Sequence, residues 1–416
     1  MSVKDNAVDQ VSKAQKKFPL PETVNIVKAN LIEQLSGETM YVPVWAGNPG
    51  IGKTTYAKMI ANEMNLNLYY VSMCKTLEFY MGLPITNSLK FESLEDAYKN
   101  YVVWSQPEMI HTANMMAEDK NKRGTLIFMD DIHIMPREIQ TCFFELVLER
   151  RLGNYKLLPN VCMLAAMNDS SASGFDGYLA AVNNRLQMIS VYMPFETWYE
   201  SCGADLNPLV SSYCKFDAGS LEEPENTSEP FATYRSWTTL SKLIETPYKT
   251  YCKNGDKKWF LNQVKILGAG FMSWKKMVGF VSNINTQLQY NFEHMVINNA
   301  YCVDKKDPIA QFCFGNIIRY VRNKKDIDNL IQYLKREVTE NSAAEYKNVI
   351  LNILYEALTY QRMLQKKSED PMSKDKLTLL RYLQEELFNA RELCANSNVR
   401  DLFNKPSREI FAEIKR

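Results

Sequence analysis

Residues 41–65 read YVPVWAGNPGIGKTTYAKMIANEMN, and the middle of that stretch decides the fold. Tyr41 to Ala46 is a short apolar run of the kind that forms a buried strand. Gly47, Gly52, Lys53 and Thr54 then fill every fixed position of G-x-x-x-x-G-K-[ST]. Beyond them Tyr56, Met59, Ile60 and Met64 recur at helical spacing. A strand before and a helix after are the flanks this motif requires. The glycines let the backbone curl around a phosphate so that successive N–H groups point inward, and the helix N-terminus adds partial positive charge. The nucleotide-binding candidates are therefore Gly47, Asn48, Pro49, Gly50, Ile51, Gly52, Lys53, Thr54 and Thr55. Lys53 is suited to the β- and γ-phosphates and Thr54 to a magnesium ion, so ATP and Mg2+ are the expected ligands.

Further along, TLIFMDDIHIMP (125–136) runs four apolar residues into Asp130 and Asp131. The unbroken apolar run predicts a central strand buried on both faces. At its tip, Asp130 is a candidate to hold the magnesium beside Thr54. Asp131 is a candidate to polarise the attacking water, a position where most such hydrolases carry glutamate. The competing reading of the pair is a cap on the following helix. In that helix Ile139, Phe143, Leu146 and Val147 mark the inner face, and RRLGNY reads as a turn into a short hairpin. VCMLAAMN is another continuous apolar run ending at Asn168. A polar residue there suits the carboxyl edge of a parallel sheet, where open α/β folds bind ligands. It also suits a plain strand-ending turn.

The bulk numbers bound the rest. A chain of 416 residues has room for two or three domains, and 46% hydrophobic with 23% charged residues is the ordinary globular range. The net charge of +1 gives no general attraction to nucleic acid or membrane. Nine scattered cysteines without a C-x-x-C pair read as reduced thiols in a cytoplasmic protein, not a zinc site. The polar N-terminus, with Lys4, Lys13, Lys16 and Lys17, shows no signal peptide. No run approaches the roughly 20 apolar residues of a membrane span.

Taken together these segments resemble the AAA+ ATPases (ATPases associated with diverse cellular activities), in particular the MoxR-like branch. VPVWAGNPGIGKTT is similar to that family's phosphate loop, FYMGLP (79–84) to the segment after its second strand, and GTLIFMDDIHIMPREIQTCFFELVLERRLGNYKL to its acidic strand, helix and hairpin. MLAAMN looks like the first sensor strand. NNRLQMISVYMPFETW (183–198) resembles the stretch bearing an arginine finger, here Arg185. FATYRSWTTLSKLI (231–244) resembles the lid segment bearing a second sensor, here Arg235, and ILGAGFMSWKKMVGFV (266–281) the helix after it. The resemblance spans about residues 20 to 285.

It implies an α/β P-loop NTPase core with a parallel sheet over 1–195, a helical lid over 196–300 and a C-terminal helical extension over 301–416. It implies an ATPase that assembles as a homo-oligomeric ring, commonly hexameric, and acts on a protein client. A protein with a von Willebrand factor A domain is the expected partner. Arg185 would reach the neighbour's γ-phosphate and Arg235 would act from the lid of its own subunit. Arg150 and Arg151 are rivals for an interface role. The alternatives are a DNA-directed motor or loader on the same fold, or a nucleotide-gated structural ring with little turnover. Nucleic acid is possible but not indicated, because no zinc ribbon, helix-turn-helix or aromatic-basic platform is evident.

Two departures stand out: Asp131 where the family usually has glutamate, and Tyr234 where it often has proline. One methylene fewer withdraws the carboxylate by about 1.5 Å, and a misplacement near 1 Å can cost about a hundredfold in rate. Slow but real hydrolysis is the expectation. Phe79 and Tyr80 are candidates either for a pore-facing loop or for packing beneath one. DAGSLEEPENTSEP (217–230) reads as a mobile acidic loop. A helical pattern resumes at Trp237, Leu240, Leu243 and Ile244. In the tail, Ile327, Leu330, Ile331 and Leu334 form a helical stripe, as do Val349, Ile350, Ile353, Leu354, Ala357 and Leu358, then Leu380, Leu383 and Leu387, with a break at Pro371. Residues 301–416 hold 21 Lys/Arg against 17 Asp/Glu, an excess small enough to be a solvated face.

Overall fold

A computed structural model describes residues 16–37, 41–85, 103–168, 185–224, 228–289, 316–340, 353, 356–357, 359–365 and 371–389. The chain forms two compact units, Met1–Met193 and Pro194–Arg416. The first is α/β and the second is helical.

The first unit is built on a six-stranded parallel sheet. Its strands are β1 (Phe18–Pro19), β2 (Val42–Ala46), β3 (Asn67–Ser72), β4 (Thr125–Asp130), β5 (Val161–Met167) and β6 (Leu186–Tyr192). They lie in the order β1-β6-β2-β5-β4-β3, every neighbouring pair parallel. All of β2 and β5 is buried, as is β4 up to Met129, which is why these runs show no alternation in the sequence. Pro43 is tolerated in the central strand because pairing with β5 begins only at Val44.

Helices α1 (Leu20–Ser36), α2 (Lys53–Glu63), α3 (Leu77–Met81), α4 (Glu108–Ala117) and α5 (Arg137–Glu149) surround the sheet. On α1 the buried amide of Gln34 stands in for a strand neighbour: Nε2 donates to the carbonyl of Met163 at 3.0 Å and Oε1 accepts from its N–H at 2.8 Å. On α2 the innermost residues are Ala57, Ile60 and Ala61, while Tyr56 and Met59 are only half-buried. Small alanines let the helix lie close over the sheet, a face that a search for large apolar residues does not find. On α5, Ile139, Phe143, Leu146 and Val147 are buried as the spacing predicts. The hairpin after it pairs Arg151–Leu152 with Tyr155–Lys156.

The second unit contains α6 (Phe195–Cys202), α7 (Pro208–Phe216), α8 (Tyr234–Asn254), α9 (Lys257–Ala269), α10 (Trp274–Gln289), α11 (Lys324–Glu340) and α12 (Pro371–Asn389). The start of α8 is fixed by a capping box between Thr233 and Ser236, and its end by Gly255 in the left-handed conformation. Tyr213, Trp237 and Phe280 pack with ring centroids 5.0–5.3 Å apart. Leu240 and Ile244 join this interior, but Leu243 faces out. The tail stripes of Ile327, Leu330, Ile331 and Leu334 and of Leu380 and Leu383 bury together, with Ile353 and Ala357. Val349, Ile350, Leu354 and Leu358, and the side chain of Leu387, lie outside the described residues, as do Lys4 and Lys13.

The acidic stretch 217–230, read as a mobile loop, is anchored at Asp217 and Glu223, and it follows a helix at Pro208–Phe216. Glu223 accepts from the backbone N–H groups of Ala232 (2.7 Å) and Ser273 (3.0 Å), and Asp217 from the Lys276 ammonium at 2.6 Å. Leu221 is buried between them in the sequence. Long-range partners of this kind leave no periodicity to read. Residues 225–227 lie outside the described residues. No helix of the described residues is long and apolar enough to cross a membrane, and no disulfide joins any two of Cys74, Cys142, Cys162, Cys202, Cys214 and Cys252.

Candidate nucleotide site

The loop Gly47–Gly52 links β2 to α2 at the carboxyl edge of the sheet. Gly47 donates its N–H to the carbonyl of Met167 at the end of β5 (3.2 Å), which pins the loop to its neighbour. A Cβ at Gly47 would come within 2.5 Å of the Val191 carbonyl oxygen, so only glycine fits there. Gly50 and Gly52 take positive φ (78° and 100°), and Gly52 caps α2. The loop thus leads into the start of α2, whose first N–H groups have no acceptor within the helix and can meet an anion. Asn48, Pro49 and Gly50 are half-exposed, Ile51 is buried and Thr55 is exposed.

Lys53 is buried, and its ammonium donates to the carbonyls of Gly47 (2.6 Å) and Asn48 (3.1 Å). Thr54, beside it, has its hydroxyl 3.2 Å from Oδ2 of Asp130 at the tip of β4. A hydroxyl and a carboxylate next to a phosphate loop are the hard oxygen donors that magnesium takes, and they stand close enough to share one ion or its water shell. The residues present therefore fit the metal. Oδ1 of Asp130 accepts the N–H of Asp131 at 3.1 Å.

Asp131 adopts the left-handed conformation (φ 58°, ψ 41°) and opens a short 3-10 turn, Ile132–Ile134, without a side-chain cap bond. The helix-capping reading of the pair is not what is seen. Asn168 follows β5, the strand lying between β2 and β4, so it stands at the same edge between the loop and Asp130. Its backbone N–H lies 3.5 Å from Nδ1 of His133. His133 and Tyr70 are the site neighbours that motif reading passes over. Tyr70 lies on β3, with its hydroxyl 3.3 Å from Oδ2 of Asp130. Tyr70 reaches the site because β3 lies beside β4, and His133, two residues after Asp131, meets Asn168 because β4 lies beside β5.

Arg185 is not in this cluster, and Arg235 belongs to the second unit. Arg185 is exposed at the start of β6, where its carbonyl accepts from Val42 N–H at 2.9 Å. Since β6 runs parallel to β2, with Leu186 opposite Val42 and Ser190 opposite Ala46, Arg185 sits at the amino end of the sheet. Six residues separate its level from Gly47, so at about 3.3 Å per residue it is roughly 20 Å from the loop of its own chain. Arg235 is exposed in the first turn of α8, in the second unit. Of the rival arginines, Arg150 is turned inward. It donates to the carbonyls of Leu158 (3.3 Å) and Val161, and burial lowers its pKa. Arg151 pairs with Glu145 at 3.5 Å on the surface. Tyr80 packs into the core beneath α3, 1% exposed, with its hydroxyl near the Met73 sulfur. Phe79 meets it edge-on at 5.0 Å and lines a cavity of about 480 Å3 with Lys75, Thr76, Leu83 and Gln106.

A phosphate loop on a central strand, an acidic strand two places away and a polar strand end between them define a P-loop nucleotide-binding fold, followed here by a helical part. Residues 44–187 match the model of the family described as ATPase family associated with various cellular activities (AAA). No curated protein matches the chain. Among solved structures it is similar to a point mutant of RuvB from Thermotoga maritima, at 14% identity and TM-score 0.35, covering 68% of this chain and 78% of that one. It is also similar to the RuvB Holliday junction branch migration motor of Thermotoga maritima, at 14% identity and TM-score 0.34, covering 67% and 76%.

Proposed function

We propose that this chain is a magnesium-dependent ATPase of the MoxR-like kind that works as a ring, commonly hexameric, and uses ATP turnover to remodel a protein partner. A von Willebrand factor A domain protein is the expected client. In this reading 196–300 is the lid and 301–416 an extension of it. The observation that carries the proposal is the convergence of Thr54 and Asp130 at 3.2 Å beside the buried ammonium of Lys53.

The chemistry follows from what each group offers. The loop N–H groups and Lys53 bind and orient the phosphates. Thr54 and Asp130 are the residues to hold magnesium, which when bound neutralises charge on the β- and γ-phosphate oxygens. Asp131 accepts a hydrogen bond from the attacking water and aims it. Asn168, across the edge, is placed to hold the same water or the γ-phosphate. Arg185 lies too far from its own loop to serve it, and its exposure at the opposite end of the sheet suits donation to a neighbouring subunit. A guanidinium supplied there stabilises the transferring phosphoryl group. Arg235, exposed at the start of α8, is the candidate to couple nucleotide state to the lid.

The test is ATP turnover against protein concentration for the wild type and Arg185→Ala. Specific activity that rises with assembly and falls at least a hundredfold in the variant supports the ring. Turnover unchanged down to clearly monomeric concentrations sinks it. A second reading, a ring that holds ATP as glue with little turnover, is favoured by the short side chain of Asp131 and its left-handed backbone.

A further inference from the structure

We infer that Tyr70 is a positioning residue for the Asp130 carboxylate, fixing the oxygen that faces the metal; this rests on the magnesium site proposed above. Tyr70 lies on β3, the edge strand, opposite Phe128 of β4 and two residues short of Ser72, the partner of Asp130. Its hydroxyl therefore has to travel along the sheet toward the carboxyl edge, and it ends 3.3 Å from Oδ2 of Asp130.

That oxygen is also the one Thr54 approaches at 3.2 Å, while Oδ1 takes the N–H of Asp131 at 3.1 Å. Three donors from β3, α2 and the chain after β4 thus converge on one side chain. A carboxylate at a strand tip otherwise rotates freely about two torsions. Donors on both oxygens fix both torsions and leave Oδ2 turned toward Thr54. A carboxylate accepts about four such bonds, so room remains for a metal-bound water.

Tyr70 is 47% exposed, and its ring leans on Phe128 with centroids 6.1 Å apart. A hydroxyl on so open a ring has water available on most sides. Its reach to a charged oxygen of the site is the feature that water would not impose. The same geometry supplies a clean control, because phenylalanine keeps the ring and its packing and removes only the donor.

The experiment is equilibrium binding of a fluorescent ATP analogue to the full chain, titrated with Mg2+, for wild type, Tyr70→Phe, Asp130→Asn and the double variant. For Tyr70→Phe the Mg2+ concentration at half-maximal enhancement should rise about three- to tenfold, as for loss of one ordinary, solvent-exposed hydrogen bond. Affinity in EDTA and thermal midpoint should stay at wild-type values. Adding Tyr70→Phe to Asp130→Asn should change nothing further, since the two residues act as one unit. An unchanged Mg2+ requirement in Tyr70→Phe overturns the inference, and so does an equal loss of affinity in EDTA. If Asp130→Asn itself leaves the Mg2+ requirement alone, it is the underlying site that fails.

Discussion

Gly47 shows how little room a phosphate loop leaves. Its missing Cβ makes way for the Val191 carbonyl, 2.5 Å from where that carbon would stand, and for Ile51. The first is backbone in a paired strand and has nowhere to go. Gly47→Ala should therefore displace the loop, lowering stability by about 1–3 kcal/mol and weakening ATP binding at least tenfold. Calorimetric titration beside a thermal melt checks both. Asp131 is the other single residue on which function turns. If its shortness limits water positioning, Asp131→Glu should raise the turnover number about ten- to a hundredfold with little change in KM. Steady-state kinetics decide this. No gain would mean that the left-handed backbone at Asp131 already makes up for the lost methylene.

Elements here are held by polar groups that reach across sequence. Arg150 ends α5 and spends its guanidinium on the carbonyls of Leu158 and Val161, fixing the hairpin against the start of β5. Asp217 and Glu223 do comparable work in the helical unit. Burial pushes both carboxyls up, but the ammonium of Lys276 beside Asp217, and the Ser273 and Ala232 donors on Glu223, outweigh it. Both pKa values are held below the ordinary carboxylate range. The unfolded chain takes up protons first as pH falls, so this stabilisation is whole above the ordinary carboxylate pKa and is lost as pH drops through the lowered folded values. Melts recorded from neutral pH into that acid window should show a midpoint that falls, and Glu223→Gln should flatten part of the fall. An identical pH profile in the variant would remove Glu223 from the account.

Across the molecule the helical unit is tied together by buried charge. Arg319 donates to the Gly203 carbonyl and to the Tyr199 hydroxyl, both at 2.6 Å. Burial works against its charge, and the nearby Tyr199 and Glu356 raise its pKa nonetheless. Lys215 on α7 pairs with Glu356, each under a tenth exposed. Arg319 and Glu356 are thereby part of this unit's interior. Glu356→Ala strands a buried ammonium, so it should cost about 3–5 kcal/mol, measured by urea unfolding. A loss under about 1 kcal/mol would mean the pair is effectively solvated. At the level of assembly, Lys53→Ala and Arg185→Ala are each expected to be inactive, yet they should complement when mixed. At equal amounts about one seam in four joins an intact loop to an intact arginine in a cyclic ring, so about a quarter of wild-type turnover should return. No recovery in mixed rings argues against an arginine shared between subunits.

What the sequence determined by itself was local. G-x-x-x-x-G-K-[ST] is a contiguous instruction, and the continuous apolar runs at 42–46, 126–129 and 161–167 lie in strands because a parallel sheet covered on both faces favours apolar side chains throughout. The stripes of α5, α11 and α12 were legible for the same reason, since a helix facing one core must repeat at its own pitch. Tertiary structure decided everything that depends on which strand lies beside which. It brought Asn168 between the loop and Asp130, Tyr70 and His133 to the same edge, and Arg185 to the far end of the sheet. It also gave Glu223 the donors that order an acidic stretch with no period of its own. Strand order and long-range hydrogen bonds join residues tens of positions apart, and no spacing along a chain encodes a neighbour that only folding supplies.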